Sequence, residues 1–467
     1  MKLSHTSAAT SAVFDEPNLI SVAGLVPVMR LAERAGLSRL ADQWLTVPTD
    51  KGANAGLKVA SIVAGMVAGA DSVDDLALLR HGGMGRVFGR AYAPSTLGSF
   101  LRTFTFGHVR QLDDLASRFL TALGQQAPIL PPPSPGSLVM VDVDDTIIEV
   151  HGHAKQGASF GYTRVRGLNA MLATATVEGA APVVVAQRLR KGSTGSSRGA
   201  ARLVADALKT VTALTDSRPV LLRADSAYYG HAIAAAARRA GAHVSITVRL
   251  DPRVKATIAT IDEGAWTPIE YREAIFDQDT GALISRAEVA EIPFTAFATR
   301  TGRLPGRLIV RRIPDLNAEK NRAAGQGTLF DTWRFHAFFT TTEPADLDTV
   351  AADKTHRGHA IIEQVHADLK NSALAHLPSG KFTANAAWLV LAVIAFNLTR
   401  AAATLTGETK LAKATTATIR RQLIAVPARV ASSARRIVLH LPQAWPWETA
   451  WTQLFTHGSG PPIVVTT

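Results

Sequence analysis

Residues 138–150, LVMVDVDDTIIEV, form an apolar run of strand character that carries three aspartates. Because side chains alternate between the two faces of a strand, Asp142, Asp144 and Thr146 share one face. Two carboxylates on one face of a mostly apolar strand cost free energy unless a cation or hydrogen bonds compensate them. The run therefore predicts a functional site whose natural occupant is a hard divalent metal ion. The alternative is an edge strand whose aspartates face water.

Length, charge and cysteine content narrow the classes of protein. A chain of 467 residues is long enough for two or three domains. Its 50 Lys and Arg against 38 Asp and Glu give a net charge of +12, which favours a polyanionic partner, nucleic acid first and a membrane surface second. The lack of cysteine excludes disulfides and thiolate metal sites. No signal peptide is evident, and the longest apolar run, 386–398, is too short to span a bilayer, so we expect a soluble, cytoplasmic protein with no membrane partner.

Helical periodicity, turn residues and prolines divide the chain into segments. Residues 1–126 are predicted to be a basic helical unit that binds the ends of a DNA element, with a purely structural scaffold as the alternative. The proline-rich stretch 127–137 is predicted to be a linker. The remaining segments are the first part of a catalytic core with strand and helix order β-β-β-α-β-α-β (138–250), a β-rich insertion (251–340), the second part of the core (341–405) and a helical C-terminal segment (406–467).

Two further carboxylates follow at positions that suit a site. Asp225 ends the predicted strand 219–224, where ligand-binding residues of α/β sheets collect, although it could instead cap the next helix. Glu363 lies on a predicted helix in the stretch 355–382, although a solvated polar stripe would show the same pattern. At spacings of three and four residues, the side chains that share its face are His356, His359, His366 and Lys370.

The order of Asp144, Asp225 and Glu363 resembles that in the RNase H-like catalytic domain of DDE transposases from bacterial insertion sequences. In that family the acids lie on the opening strand, after the fourth strand and on a late helix. The branch with a β-rich insertion carries Tyr-x2-Arg-x3-Glu-x6-Lys, which this chain matches at Glu363 and Lys370 but not at His356 and His359. The resemblance implies an α/β fold with an RNase H-like mixed sheet and a β-rich insertion, preceded by a helical N-terminal domain and followed by a helical C-terminal segment.

The resemblance also implies a chemistry, namely metal-dependent cleavage and strand transfer of insertion-sequence ends by a cut-and-paste route. Two Mg²⁺ ions, which Mn²⁺ can replace, would be held by Asp144, Asp225 and Glu363, with Asp144 bridging both ions and Asp142 as an additional candidate ligand. The partners implied are DNA, as terminal inverted repeats and as target, and a second copy of the chain in a homodimer on DNA.

The remaining site predictions concern contacts with DNA phosphates, for which basic or hydrogen-bonding side chains are needed. Lys370 is expected to hold a phosphate, and the basic loop after residue 187 is expected to follow the DNA backbone. The other residues predicted for DNA contact are His356, Arg357, His359, Arg190 and Lys191.

Two alternatives belong to other classes of protein. The pattern around Asp142 and Asp144 also fits the first motif of haloacid-dehalogenase-like phosphatases, in which Asp142 would be the nucleophile and Asp144 the general acid. Against that reading, the run opens a predicted meander, no later Gly-Asp pair suits the last acidic motif, and Glu363 has no role. The second alternative is an inactive DNA-binding relative, which would bind DNA without metal-dependent nicking.

Overall fold

The computed structural model describes residues 11–131, 137–152, 154–161, 163–215, 218–276, 283–299, 301–314, 333–433 and 436–459. Residues 132–136 of the predicted linker 127–137 therefore lie outside the described residues, as do the chain ends and parts of the β-rich insertion.

The N-terminal part is helical, as the apolar spacing predicted. A short strand, β1 (Leu19–Ile20), precedes seven helices, and a 3-10 turn spans Asp74–Arg80. Gly36, with φ at 80°, separates the first two helices, because this backbone conformation interrupts a helix and suits glycine. The helices are α1 (Leu25–Arg34), α2 (Leu37–Trp44), α3 (Thr49–Gly52), α4 (Ala55–Ala68), α5 (Met84–Val87), α6 (Pro94–Arg102) and α7 (Phe106–Gln126).

The central sheet confirms the predicted meander and the RNase H-like order. Its elements are β2 (Val139–Glu149), β3 (Ser159–Phe160), β4 (Arg166–Thr176), β5 (Val183–Lys191), α8 (Ala200–Thr215), β6 (Val220–Ala224), α9 (His231–Arg239) and β7 (His243–Thr247). Strands β2, β4 and β5 pair antiparallel, whereas β6 lies parallel to β2 and β7 parallel to β6. The order β5-β4-β2-β6-β7 places the aspartate-rich strand in the centre of this sheet, not at its edge.

The β-rich insertion is present and continues the same sheet. After helix α10 (Pro252–Ile258), it consists of β8 (Thr267–Phe276), β9 (Leu283–Ala296), β10 (Leu304–Pro314) and β11 (Trp333–Thr340). These strands pair antiparallel in order, and β11 joins them to the core by pairing with β7. The chain then returns to the core through α12 (Thr349–Arg357), α13 (Ile361–Lys370) and α14 (Phe382–Thr404).

Helix α14 is the apolar centre of the molecule. Among the described residues it is the one helix long and apolar enough to cross a membrane, and its apolar window is entirely buried inside the fold. It packs against α4, α7 and β5, so the N-terminal helices and the central sheet share one hydrophobic core. The apolar run 386–398 therefore lies within a buried helix, which extends further at both ends.

The C-terminal segment is not purely helical, so that part of the sequence prediction was wrong. It contains the short helices α15 (Thr409–Ala412) and α16 (Thr416–Ile419), a hairpin of β12 (Ala428–Ser433) and β13 (Arg436–His440), and α17 (Glu448–Ser459). Strand β12 also pairs antiparallel with β1, near the other end of the chain. The burial of Ala428 and Val430 against exposed Arg429 follows the two-residue period of a strand, and pairing with a distant strand supplies the bonds that a helix would have made locally.

The buried side chain of Asn397, on α14, bonds to the backbone of β5 next to a shift in strand register. The ladder between β4 and β5 shifts register near Thr174, which pairs with Val184. Asn397 accepts from the Val184 N–H at 2.9 Å and donates to the Val184 carbonyl at 2.8 Å. The amide thus satisfies two backbone groups that would otherwise be buried without partners.

We predict that Asn397→Leu lowers the free energy of unfolding by about 2 to 4 kcal/mol, because two buried backbone groups lose their partners. Urea titration monitored by circular dichroism would measure the change. The control Gln364→Leu makes a similar substitution at an exposed helix position and should change stability by no more than about 0.5 kcal/mol. Equal effects of the two substitutions would contradict this account of Asn397.

Candidate active site

The three aspartates of β2 have three different environments. The side chains of Asp142 and Asp145 are 1% and 2% exposed, whereas that of Asp144 is 30% exposed. Asp142 and Asp145 each form an ion pair with a buried arginine. Asp144 is thus the aspartate of this cluster that can be reached from outside, and it stays the first candidate ligand on this strand.

Asp142 is occupied by a structural ion pair, so its prediction as an additional metal ligand is not supported. The Arg223 guanidinium donates from Nε to Oδ1 and from Nη2 to Oδ2, both at 2.7 Å. Both residues are buried, and they are direct neighbours on the parallel strands β2 and β6. The phosphatase alternative is wrong for the same reason, because its nucleophile would be an inaccessible carboxylate held by both oxygens.

Asp145 points to the other face of the strand and is also fully engaged. It accepts hydrogen bonds from Asn169 and from the Tyr228 hydroxyl, and it pairs with Arg190 at 3.2 Å. Arg190 further donates to Asn169 and to carbonyls of the loop that follows β5. The prediction that Arg190 contacts DNA was therefore wrong: its guanidinium is buried and orders that loop, while the adjacent Lys191 is exposed.

Asp225 lies next to Asp144 in the sheet. The last paired residues of β2 and β6 are Val143 and Ala224, so extension of the parallel register by one residue places Asp225 beside Asp144. Neighbouring strands are about 4.8 Å apart, which leaves the two carboxylates on adjacent strands. Asp225 is exposed, and its carboxylate accepts from the Ala227 N–H at 2.9 Å. It thus does cap the following turn, as the alternative interpretation held, while remaining accessible from the site.

Glu363 lies on a helix, as predicted, but the bounds of that helix differ from the predicted stretch. The stretch predicted as one helix is two, because a 3-10 turn at Gly358–Ala360 separates α12 from α13. Glu363 is exposed in the first turn of α13. This helix packs on β2, with His366 Nε2 lying 3.7 Å from Asp144 Oδ2 and Lys370 Nζ 3.4 Å from the Thr146 hydroxyl.

Both other predicted carboxylates act on the charge of Asp144. The pKa of Asp144 is raised to about 7, mainly by burial and in addition by the negative charges of Asp145, Asp225 and Glu363, against a backbone hydrogen bond that lowers it. Two of those three neighbours are the other predicted acids, although they are 81 and 219 residues further along the chain. The fold therefore brings Asp144, Asp225 and Glu363 into one electrostatic neighbourhood.

The other residues predicted to contact DNA differ in accessibility. His356 is buried, stacks on Phe338 and contacts the hydroxyls of Ser245 and Thr247 with its two ring nitrogens. Burial lowers the pKa of His356 to about 3, so its prediction as a phosphate contact was wrong. His359 is half-buried and contacts the backbone of its own turn. Arg357 and Lys370 are exposed.

The residue whose place in the site the sequence did not assign is His366. Its spacing from Glu363 put it on the same helix face, but only the packing of α13 on β2 brings it next to Asp144. Burial lowers the pKa of His366 to about 4, so the imidazole is neutral at pH 7. Its Nε2 has no hydrogen-bond partner among the described residues.

The donor chemistry of this site fits a hard divalent cation. Carboxylate oxygens are the ligands that Mg²⁺ and Mn²⁺ prefer, and a cation would remove the repulsion that raises the pKa of Asp144. Among the described residues, no group of three or more Asp, Glu or His side chains is arranged so that it could hold a metal ion by itself. Mg²⁺ usually binds through one or two carboxylates together with water and substrate oxygens, so a closed site of protein ligands is not required.

We predict that Asp144→Asn increases the free energy of unfolding of the metal-free protein at pH 8 by about 2 kcal/mol. This figure is reduced for solvent screening, because the carboxyl is partly exposed. The unfolded carboxyl ionises near its usual 3.8 and the folded one only near 7. Between these values the folded state binds the extra proton, so its stability falls as the pH rises. The difference between variant and wild type should therefore vanish below about pH 4.

Thermal unfolding at several pH values in the presence of a chelator would measure this difference. Glu149→Gln removes an exposed carboxylate from the same strand and is the matched control, with no expected gain. A destabilised Asp144→Asn protein at pH 8 would contradict the proposed repulsion among the carboxylates.

Comparisons with known proteins were made for the whole chain. The model of the family described as "Transposase DDE domain group 1", whose members generally use divalent metal ions, matches residues 5–457. A piggyBac transposase in a synaptic complex with hairpin DNA is a similar solved structure, with 10% identity, a TM-score of 0.42, and coverage of 85% of this chain and 81% of that chain. A search of curated proteins found no significant match. Because the family match spans nearly its whole length, the chain belongs to the DDE transposases and is a DNA transposase.

Proposed function

We propose that this transposase cuts and joins the terminal inverted repeats of a bacterial insertion sequence by a cut-and-paste route. Asp144, Asp225 and Glu363 are its catalytic carboxylates. The observation that carries this proposal is that Asp144 lies within the electrostatic influence of both Asp225, which follows the adjacent strand, and Glu363, on a helix packed on β2. The match to the DDE family supports it, since that family is named for an acidic triad of this kind.

The metal would be Mg²⁺, as two ions held by these three carboxylates and replaceable by Mn²⁺. When bound, such ions supply Lewis acidity and activate a nucleophilic oxygen at neutral pH. The protein's own contribution is to keep the carboxylates together on a rigid sheet, with Asp144 on a central strand. The neutral imidazole of His366 beside Asp144 adds no positive charge that would compete with a cation.

DNA would approach the face of the sheet on which α13 lies. Lys370 is exposed and lies 3.4 Å from Thr146 on the strand that carries Asp144, so its ammonium group lies next to the carboxylates. A phosphate held there would be close to the reacting bond. Lys191 and Arg357 are exposed at the end of β5 and at the end of α12, and we propose that they contact the DNA backbone nearby. The net charge of +12 supports a polyanionic partner.

The proposal also covers the oligomeric state of the protein on DNA and its place in the cell. Joining two ends of one element requires that both be held together, so we propose a homodimer on DNA. The N-terminal helices, which share a hydrophobic core with the catalytic sheet, would bind the ends. Composition and the lack of cysteine favour the cytoplasm.

We predict that Asp144→Asn, Asp225→Asn and Glu363→Gln each reduce Mg²⁺-dependent cleavage of DNA ends by at least about 100-fold, since each removes a charged metal ligand. DNA binding should remain near the wild-type level, because each substitution removes negative charge. The substrate is DNA that carries the inverted repeats flanking the gene. Nicks with 3′-hydroxyl ends would be scored on sequencing gels, and binding by gel shift.

Glu149→Gln is the matched control, because it removes a carboxylate from the end of β2 outside the cluster and should leave cleavage unchanged. Full cleavage by Glu363→Gln would remove that residue from the site. Wild-type protein that binds the ends but never nicks them would favour an inactive DNA-binding relative.

We predict that Lys370→Gln weakens DNA binding similarly for all sequences and reduces the slope of log affinity against log salt by about one. Its ammonium group is exposed and lies beside the acidic site, where a backbone phosphate must pass. Filter binding between about 50 and 200 mM salt would measure the slope. Lys209→Gln, at an exposed position of α8, is the control. An unchanged slope for Lys370→Gln would contradict the phosphate contact.

A further inference from the structure

The buried Asp142–Arg223 pair links β2 and β6 to the end of α12, the helix that precedes the helix of Glu363. Asp142 lies two residues before Asp144 on β2, and Arg223 lies two residues before Asp225 on β6. The third guanidinium nitrogen, Arg223 Nη1, donates to the carbonyl of Thr355 in the last turn of α12. One guanidinium thus contacts both strands and the helix that leads to Glu363.

The contact at Thr355 fixes the junction that precedes the helix of Glu363. The C-terminal end of a helix carries partial negative charge, so a cation is well placed there. Gly358 follows at the start of the 3-10 turn, and a methyl group on it would lie only 2.8 Å from Arg223 Nη1. The close approach of the guanidinium therefore requires glycine for its space, since a φ of −62° at this position would suit any residue.

A second contact holds the same turn against the sheet. The ring of His356 stacks on Phe338 of β11 with centroids 4.0 Å apart, and it bonds to Ser245 and Thr247 of β7. Between this anchor and Glu363 there are six residues, all of them in the 3-10 turn or the adjoining helical ends. The chain therefore has little freedom to move Glu363 once the junction is fixed.

A buried ion pair is a poor source of stability, which points to another role for this one. Removal of two charges from water offsets most of their attraction, and apolar residues of similar volume often serve equally well in stability. What an apolar pair could not supply is the directed bond from Arg223 to the Thr355 carbonyl. The pair therefore fixes the position of the end of α12 relative to the two strands, which apolar packing alone would not do.

We propose that Asp142 and Arg223 are positioning residues that set the place of Glu363 relative to Asp144 and Asp225, and thereby the affinity of the site for divalent metal. This inference rests on the proposed function, since it takes these three acids as the metal ligands. Neither positioning residue contacts the substrate. They act through the junction between α12 and α13.

The central test is the double variant Asp142→Leu with Arg223→Met, which replaces the pair by apolar residues of similar size. We expect it to fold with nearly wild-type thermal stability and to bind end DNA normally. The Mn²⁺ concentration for half-maximal binding, measured by the electron paramagnetic resonance signal of free Mn²⁺, should rise about 10- to 100-fold. Wild-type Mn²⁺ affinity together with wild-type cleavage would overturn the proposal, and the pair would then be structural only.

If the double variant does not fold, the single variant Gly358→Ala tests the same proposal. Gly358→Ala should push the guanidinium from its place and weaken Mn²⁺ binding several-fold, although alanine at this backbone conformation should otherwise stabilise the protein. Gly85→Ala is the matched control, since a methyl group there meets nothing within 4 Å. Equal Mn²⁺ affinity in Gly358→Ala and Gly85→Ala would overturn the proposal.

A double-mutant cycle with Arg223→Lys completes the design. Lysine has no atom equivalent to Arg223 Nη1, with which a methyl group on residue 358 would collide. Addition of Gly358→Ala to Arg223→Lys should therefore not lower the Mn²⁺ affinity any further. Fully additive effects would contradict a shared contact. Wild-type protein that binds Mn²⁺ at this site without cutting DNA would overturn the proposed function alone, because the metal readout of the positioning pair is independent of cleavage.

Discussion

The repulsion among three carboxylates on one face of the sheet is the constraint on which the rest of the site depends. Asp144 is largely buried on a central strand, Asp225 follows the adjacent parallel strand, and Glu363 lies in the first turn of α13. Their charges and the burial of Asp144 raise the pKa of Asp144 to about 7. A rigid sheet and a packed helix hold this arrangement against its electrostatic cost, and a divalent cation is the partner that would relieve it.

The surrounding arginines determine which acids remain available. Arg223 engages Asp142 on one face of β2, and Arg190 engages Asp145 on the other face. These pairs neutralise two of the three aspartates of β2, so that Asp144 is the one accessible aspartate of the strand. The same two arginines also reach beyond the strand, Arg223 to the end of α12 and Arg190 to the loop after β5. Each arginine thus has two roles: it neutralises one buried aspartate, and it holds a neighbouring segment in place.

Sequence reasoning was most successful where periodicity and residue order carried the information. The alternation in β2, the meander and the positions of Asp225 and Glu363 followed from local patterns together with the family resemblance. It failed where a side chain's role depends on a distant partner. His356 and Arg190 looked like surface cations but are buried by Ser245, Phe338 and Asp145. The hairpin β12–β13 was missed because it pairs with β1, far away in the sequence.

The central claim is that the acids from the two strands and the helix share one metal site. Anomalous diffraction from crystals of the protein with end DNA and Mn²⁺ would test it most directly. We expect Mn²⁺ peaks within about 2 to 2.5 Å of carboxylate oxygens of Asp144, Asp225 and Glu363, as oxygen ligation requires. Peaks elsewhere, or a Glu363 side chain turned away from a metal that Asp144 and Asp225 hold, would contradict the account.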